Sequence, residues 1–254
     1  MSRSTDAVAG VPRTSRSTTT RRSDRLRLFV VPHAGAGIGS ALRLAAALPD
    51  DIDVIPFRLP GRESRFREPP VTSSSVLVDE LADIVRDSGQ GKVWILGTCS
   101  GAFVAMALTQ ALVERGRPAD GTILLGPPVG EITGPARALE DVSSAALWRQ
   151  LESTGIPAQI AVDPELRALF EPVLRADLMV ARELWSCSQK VPATATFAVR
   201  GADDAVVDAA QFTSWAARVG VTALTTPGSH LLLDGGAEQI GAIARVVAGL
   251  MASR

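Results

Sequence analysis

The sequence predicts an α/β fold, a mostly parallel and doubly wound sheet carrying a helical insertion. Three observations predict it. Short, nearly continuous apolar runs of strand length recur along the chain. Amphipathic stretches of helical period separate them, as expected when helices cover both faces of a parallel sheet. One stretch of about 60 residues breaks the alternation with helical patterns alone, which is too long for a connection.

The first segment, Met1–Asp24, is rich in Ser, Thr and Arg. Such a composition also occurs in organelle transit peptides, but amphipathic periodicity is lacking, and so is the apolar stretch of a secretory signal. An unstructured tail is expected over 1–24, with one folded domain over 25–254. Leu26–Pro32 is a buried strand running into the turn Pro32-His33-Ala34-Gly35. Further strands are expected at Ile52–Phe57, Lys92–Gly97, Gly121–Gly126, Thr194–Arg200 and Val221–Thr226. Helices are expected at Ser40–Leu48, Ser74–Arg86, Ala102–Arg115, Gln211–Val219 and Ala237–Met251. Crossovers this short are right-handed by default, which makes the sheet doubly wound. The insertion spans about 128–190, with helices near Ser143–Ser153 and Asp163–Ser186. Asp163-Pro164-Glu165 supplies a cap, a proline at the first helical position and an acid in the first turn. Lying over the ligand edge of the sheet, the insertion is read as a lid; plain packing helices are the alternative.

Composition narrows the function. The 254 residues hold 26 Lys+Arg against 27 Asp+Glu, a formal charge of -1, which gives no general pull toward nucleic acid or membrane. No apolar run approaches the ~18–20 residues that a spanning helix needs. A cytoplasmic protein without nucleic-acid or membrane partners is expected. Two cysteines, Cys99 and Cys187, exclude a disulfide scaffold and a four-cysteine zinc site, and no metal site is expected. His33 and His230 are the two histidines, so any mechanism that needs imidazole has two candidates.

The chemistry centres on Gly97-Thr98-Cys99-Ser100-Gly101, which joins a strand directly to a helix. This is a nucleophile elbow, G-x-Nu-x-G, with cysteine as nucleophile. A sharp strand-to-helix turn strains the backbone at its apex, and side chains two before and two after would collide with neighbouring elements. The apex side chain then projects beside a helix N-terminus, whose partial positive charge favours a thiolate. Ser100 at the apex would move the turn away from the strand end and place β-branched Thr98 before it. Cys99 is therefore the candidate nucleophile; a small buried cysteine in a tight turn is the plain alternative.

The elbow arrangement expects the order nucleophile, acid, histidine. Asp203 and Asp204 follow the fifth strand, and His230 follows the sixth in Pro227-Gly228-Ser229-His230. His230 is the candidate base and Asp204 the residue that fixes its tautomer and stabilises its imidazolium. Asp203 better suits a capping or solvated role. His33 precedes the nucleophile and is read as structural or pocket-lining. Backbone N–H groups of Ala34 and Ser100 are the candidate oxyanion donors. Gly35-Ala36-Gly37 also begins a dinucleotide fingerprint, but Ser40 stands where the third glycine belongs and that reading leaves the elbow unexplained.

With these residues the chain resembles the type II thioesterases of polyketide and nonribosomal peptide synthesis, within the α/β-hydrolases, over roughly Leu26 to Leu250. The resemblance rests on Val31-Pro32-His33-Ala34-Gly35, Leu59-Pro60-Gly61-Arg62-Glu63, the elbow, Asp163-Pro164-Glu165, Pro172-Val173-Leu174-Arg175-Ala176-Asp177, Gly201-Ala202-Asp203-Asp204 and Pro227-Gly228-Ser229-His230. It implies an α/β-hydrolase fold and a mobile lid over an acyl chamber. It also implies a small acyl substrate tethered to the phosphopantetheine arm of an acyl or peptidyl carrier protein, with no cofactor of the enzyme's own.

The chain departs from the family pattern at its centre, where cysteine replaces the usual elbow serine. Serine converts a thioester to a lower-energy oxyester, whereas cysteine exchanges one thioester for another. The resemblance implies hydrolysis of the Cys99-acyl intermediate; the cysteine opens the alternative of acyl transfer to another thiol, an amine or a hydroxyl in natural-product biosynthesis. A non-catalytic carrier- or ligand-binding homologue is the third reading. Tyrosine, frequent in family lids, is absent from the whole chain. Arg58, Arg62, Arg65 and Arg67 form a basic stretch that either docks an acidic carrier or is a solvated loop paired with Glu63 and Glu68. Cys187 is read as structural.

Overall fold

A computed structural model of the chain describes residues 26–129, 143–151, 163–185 and 194–253. The tail 1–24 and Cys187 lie outside the described residues. Within them the expected alternation is present: β1 (Leu26–Val31), α1 (Gly39–Ala47), β2 (Ile52–Pro56), α2 (Ser74–Asp87), β3 (Val93–Thr98), α3 (Gly101–Glu114) and β4 (Gly121–Leu125). After β4 come α4 (Ser144–Leu151) and α5 (Pro164–Trp185), then β5 (Thr196–Gly201), α6 (Ala209–Val219), β6 (Thr222–Thr226) and α7 (Ala237–Ala252).

The strands form one sheet in the order β2-β1-β3-β4-β5-β6. Every adjacent pair is parallel. The continuous apolar runs are explained by two cores, one on each face. Phe29 and Val31 of β1 face the core built with α2, α3, α5 and α6, while Leu28 and Val30 face the core built with α1 and α7. Side chains alternate across a strand, so a strand covered on both sides must be apolar at every position.

The sixth strand departs from this. It was expected as another buried run, yet four of its five residues are partly or fully exposed. As an edge strand it has β5 as its single neighbour, and its Thr-rich sequence suits a half-solvated edge.

The order also locates the functional edge. The chain leaves β1 outward to β2 and returns to β3 on the other side, so a switch point lies between β1 and β3. Ligands of open α/β sheets bind where the carboxyl ends of such strands diverge. The turn after β1 and the elbow after β3 therefore flank one crevice. Both described helices of the insertion form, and Asp163 Oδ1 accepts the Glu165 and Leu166 N–H groups to cap α5. Among the described residues no helix is long and apolar enough to cross a membrane.

Candidate active site

The elbow is formed by the local sequence. Cys99 sits at φ +47°, a strained conformation for a residue with a side chain. Its N–H donates to Leu125 O at 2.8 Å, which anchors the apex to the end of β4. The two glycines are required by close approach. A Cβ on Gly97 would stand 2.3 Å from Gly101 O, and one on Gly101 would stand 2.3 Å from Pro32 O. Neither contact is tolerable, so the strand can turn into α3 only through glycine. Helix α3 opens at Gly101, so the Cys99 sulfur lies near its positive end.

The three residues expected from chain order come together. Cys99 Sγ lies 3.2 Å from His230 Nε2, and His230 Nδ1 lies 2.9 Å from Asp204 Oδ2. His230 and Asp204 are buried, and Cys99 is half-buried. Gly201 makes room for this arrangement: a Cβ there would meet Gly228 O at 2.2 Å, so β5 could not lie against the loop that carries His230. Asp203, by contrast, is exposed.

Asp204 is itself held from two sides. Its Oδ1 accepts the N–H groups of Val206 and Val207 at 2.8 and 2.9 Å. The buried Arg200 guanidinium donates to the carbonyls of Val207, Gly201 and Asp204 at 2.6, 2.8 and 2.8 Å. Sequence reasoning missed Arg200. An arginine ending an apolar strand was the available signal, but its partners appear only when the following loop curls back over it.

These contacts set the protonation. Burial opposes charge on both groups of the pair. For Asp204 the hydrogen bonds from His230, Val207 and Val206 outweigh it and hold the carboxyl below its usual range. For His230 burial is likewise outweighed, by the hydrogen bonds and charges of Asp204 and Cys99, and its pKa is pushed up to about 10. An imidazolium at neutral pH donates Nδ1–H to Asp204 and directs Nε2–H at the Cys99 sulfur.

The shift has a stability consequence. Because the folded value exceeds the ordinary one of 6.5, His230 in the folded chain keeps, up to about 10, a proton that the unfolded imidazole loses near 6.5. The resulting stabilisation is complete below 6.5 and is lost as pH rises through about 10. Replacing Asp204 with Asn should bring the His230 titration down toward the ordinary range and flatten the fall in thermal midpoint over that window. Imidazole NMR reads the first directly, since the chain has two histidines; an unmoved His230 titration would contradict the assignment.

The candidate oxyanion donors are differently placed. In this structure the Ala34 N–H donates to Ser100 Oγ at 2.8 Å, so one expected donor is engaged by the hydroxyl of the residue carrying the other. His33 lies against Asp234, with Nδ1 3.6 Å from Oδ2, and burial pushes its pKa down.

Half of the basic stretch is internal. Arg58 pairs with Glu63 and Arg65 with Glu68, as the solvated-loop reading expected. Yet Arg65 is buried and also bonds Glu80, and buried Arg62 pairs with Asp177 of α5. Apolar Phe57 and Leu59 draw this segment into the core, so docking by the whole stretch is corrected: Arg62 and Arg65 face inward.

Comparison with known proteins gives a consistent picture. The chain is 27% identical over 226 residues to the antimetabolite synthetase AmbE of Pseudomonas aeruginosa, covering 87% of this chain and 10% of AmbE. It is 26% identical over 158 residues to the gramicidin S biosynthesis protein GrsT of Aneurinibacillus migulanus, covering 61% of this chain and 62% of GrsT. The chain thus spans less than two thirds of the length of these curated relatives. Among solved structures, RedJ, a thioesterase of the prodiginine pathway of Streptomyces coelicolor, shares the fold with a TM-score of 0.73 at 24% identity, over 96% of this chain and 97% of RedJ. The family model of the thioesterase domain matches residues 26–248. The chain belongs to the thioesterase domain family.

Proposed function

We propose that the chain is a type II thioesterase that releases acyl groups from the phosphopantetheine arm of an acyl or peptidyl carrier protein through a Cys99-acyl intermediate. The observation that carries this is the unbroken hydrogen-bonded sequence Cys99 Sγ, His230 Nε2, His230 Nδ1, Asp204 Oδ2, with links of 3.2 and 2.9 Å. The biosynthetic settings named for GrsT and RedJ support the carrier-bound substrate.

In this mechanism the Cys99 thiolate attacks the thioester carbonyl. The Ser100 and Ala34 N–H groups receive the oxyanion, with Ser100 Oγ displaced from the latter. Collapse expels the phosphopantetheine thiolate, which takes the Nε2 proton of His230. Neutral His230 then removes a proton from water; the hydroxide attacks the Cys99 thioester, the acid leaves, and the thiolate–imidazolium pair is restored. Asp204 keeps the imidazole in the tautomer that both steps need.

A second reading is favoured by the sulfur itself. A thioester on Cys99 keeps the acyl group activated, so a thiol, amine or hydroxyl can replace water as acceptor. Mass spectrometry of the intact protein mixed with acyl-loaded carriers tests the common step. A mass gain equal to the acyl group, removed by hydroxylamine, is expected. An unaltered protein and undepleted carriers would favour a binding protein without turnover.

A further inference from the structure

The loop that carries Ala34 is fastened by the insertion. Asp177, on α5, accepts the Gly35 N–H through Oδ2 at 2.8 Å. The same carboxylate receives Arg62 in a two-pronged ion pair, Nη1 to Oδ2 at 2.8 Å and Nη2 to Oδ1 at 2.7 Å. Arg62 Nη1 also donates to Ala36 O at 2.8 Å. One ion pair therefore holds an N–H and a carbonyl on the C-terminal side of Ala34, while β1 holds the chain before it. One turn earlier on α5, Leu174 packs with Leu147 and Trp148 against Ala34 itself. The side chains of Arg62 and Asp177 are 8% and 13% exposed, so water does little to screen them.

We propose that Asp177 and Arg62 are positioning residues for acyl-enzyme formation, which orient the Ala34 N–H toward the oxyanion and cancel each other's charge beside it. The proposal rests on the reading of Cys99 as an acyl-forming nucleophile. Two physical effects combine. A peptide plane fixed at its neighbour presents its N–H without reorganisation when charge develops, and small misplacements of such groups are costly. A lone carboxylate one residue from the oxyanion donor would oppose the forming negative charge in a poorly screened setting. The two-pronged arginine removes that opposition while preserving the anchor.

The geometry also separates two roles of the insertion. It packs against Ala34 through Leu174, and through Asp177 it fastens the loop at the switch point, so that loop is not shaped by the sheet alone.

Straight-chain aldehydes, butanal to octanal, provide a test that needs no knowledge of the acyl group. The Cys99 sulfur bonds the aldehyde carbon, and the carbonyl oxygen takes up the proton to give a hemithioacetal whose oxygen occupies the oxyanion position. Protection of Cys99 from iodoacetamide, read on its own peptide by mass spectrometry, measures this addition. In Asp177→Ala, protection should weaken about tenfold or more, while the alkylation rate without aldehyde stays within about twofold. Asp177→Asn keeps an acceptor for Gly35 N–H but loses the two-pronged hold on Arg62, so the loop is anchored more loosely and the variant should fall between wild type and Asp177→Ala. With acyl carriers, kcat should drop roughly tenfold to a hundredfold with KM nearly unchanged. Unchanged protection in both variants would overturn the proposal. So would a parallel loss of bare alkylation, which marks a collapsed site. Wild type that is protected by aldehydes yet turns over no acyl carrier would sink the carrier reading and leave the positioning role standing. Wild type that no aldehyde protects would overturn the positioning role too.

Discussion

Cys99→Ala abolishes covalent acyl loading, whereas Ser100→Ala leaves it within about tenfold of wild type: this contrast is the expected result of offering each variant an acyl-loaded carrier. The two residues are neighbours with opposite roles. Cys99 holds the strained apex at φ +47°, and its sulfur is the atom within reach of His230 Nε2. Ser100 is buried and turned to the Ala34 N–H. Removing the sulfur leaves nothing for His230 to activate, and loss of a nucleophile that acts with its base as a unit costs on the order of 10⁴- to 10⁶-fold in turnover. Removing the Ser100 hydroxyl keeps the residue's backbone N–H and frees that of Ala34, so both proposed oxyanion donors survive. Intact-protein mass spectrometry reads the loading and single-turnover release of free acid reads the rate. Equal loss in both variants, or loading that persists without Cys99, would show that the nucleophile is misassigned.

Cys99→Ser separates release to water from transfer. The substitution keeps the elbow and alters the energy of the acyl enzyme. With sulfur, carrier-to-enzyme and enzyme-to-acceptor steps are both thioester exchanges, so neither direction is strongly uphill. With oxygen, the acyl group rests in an oxyester, and return to any thiol is unfavourable; each 1.4 kcal/mol of that bias is a factor of about ten. Thiol-to-thiol traffic should therefore stall in the serine variant. Hydrolysis should suffer far less, because His230 and Asp204 can activate water against either ester. A serine hydroxyl needs neutral His230 as a general base, so the activity of the serine variant should shift toward higher pH. The paired measurement follows acyl appearance on a second carrier and release of free acid for both proteins. Wild type should load the acceptor and the variant should shift the balance toward acid. If wild type gives free acid alone, whatever acceptor is offered, the transfer reading falls and the hydrolase stands.

Much of this site is legible in one dimension, because the elbow is a local device. Gly97, Cys99 and Gly101 stand two positions apart in turn, and the clash that demands glycine arises within one strand-turn-helix unit and its nearest neighbour. Asp204 and His230 follow from a rule about chain order, and the alternating apolar runs identify a sheet covered on both faces. The edge character of β6 was less legible, because exposure depends on which strands flank it.

The sequence by itself determined the sheet, the position of the elbow, the order of acid and base, and the presence of a helical insertion. The tertiary structure decided the rest. Arg62 reads as one of four basic residues in a loop, and it proved to be bound to Asp177, 115 positions away. Arg200 closes around the acid loop through carbonyl groups that no sequence pattern marks. The occupied Ala34 N–H likewise depends on Ser100 meeting it across the crevice, 66 positions along the chain. Periodicity and turn chemistry are properties of neighbouring residues, so they are written in the chain. A buried ion pair or a backbone cage depends on distance and desolvation, which exist once the strands have been brought side by side.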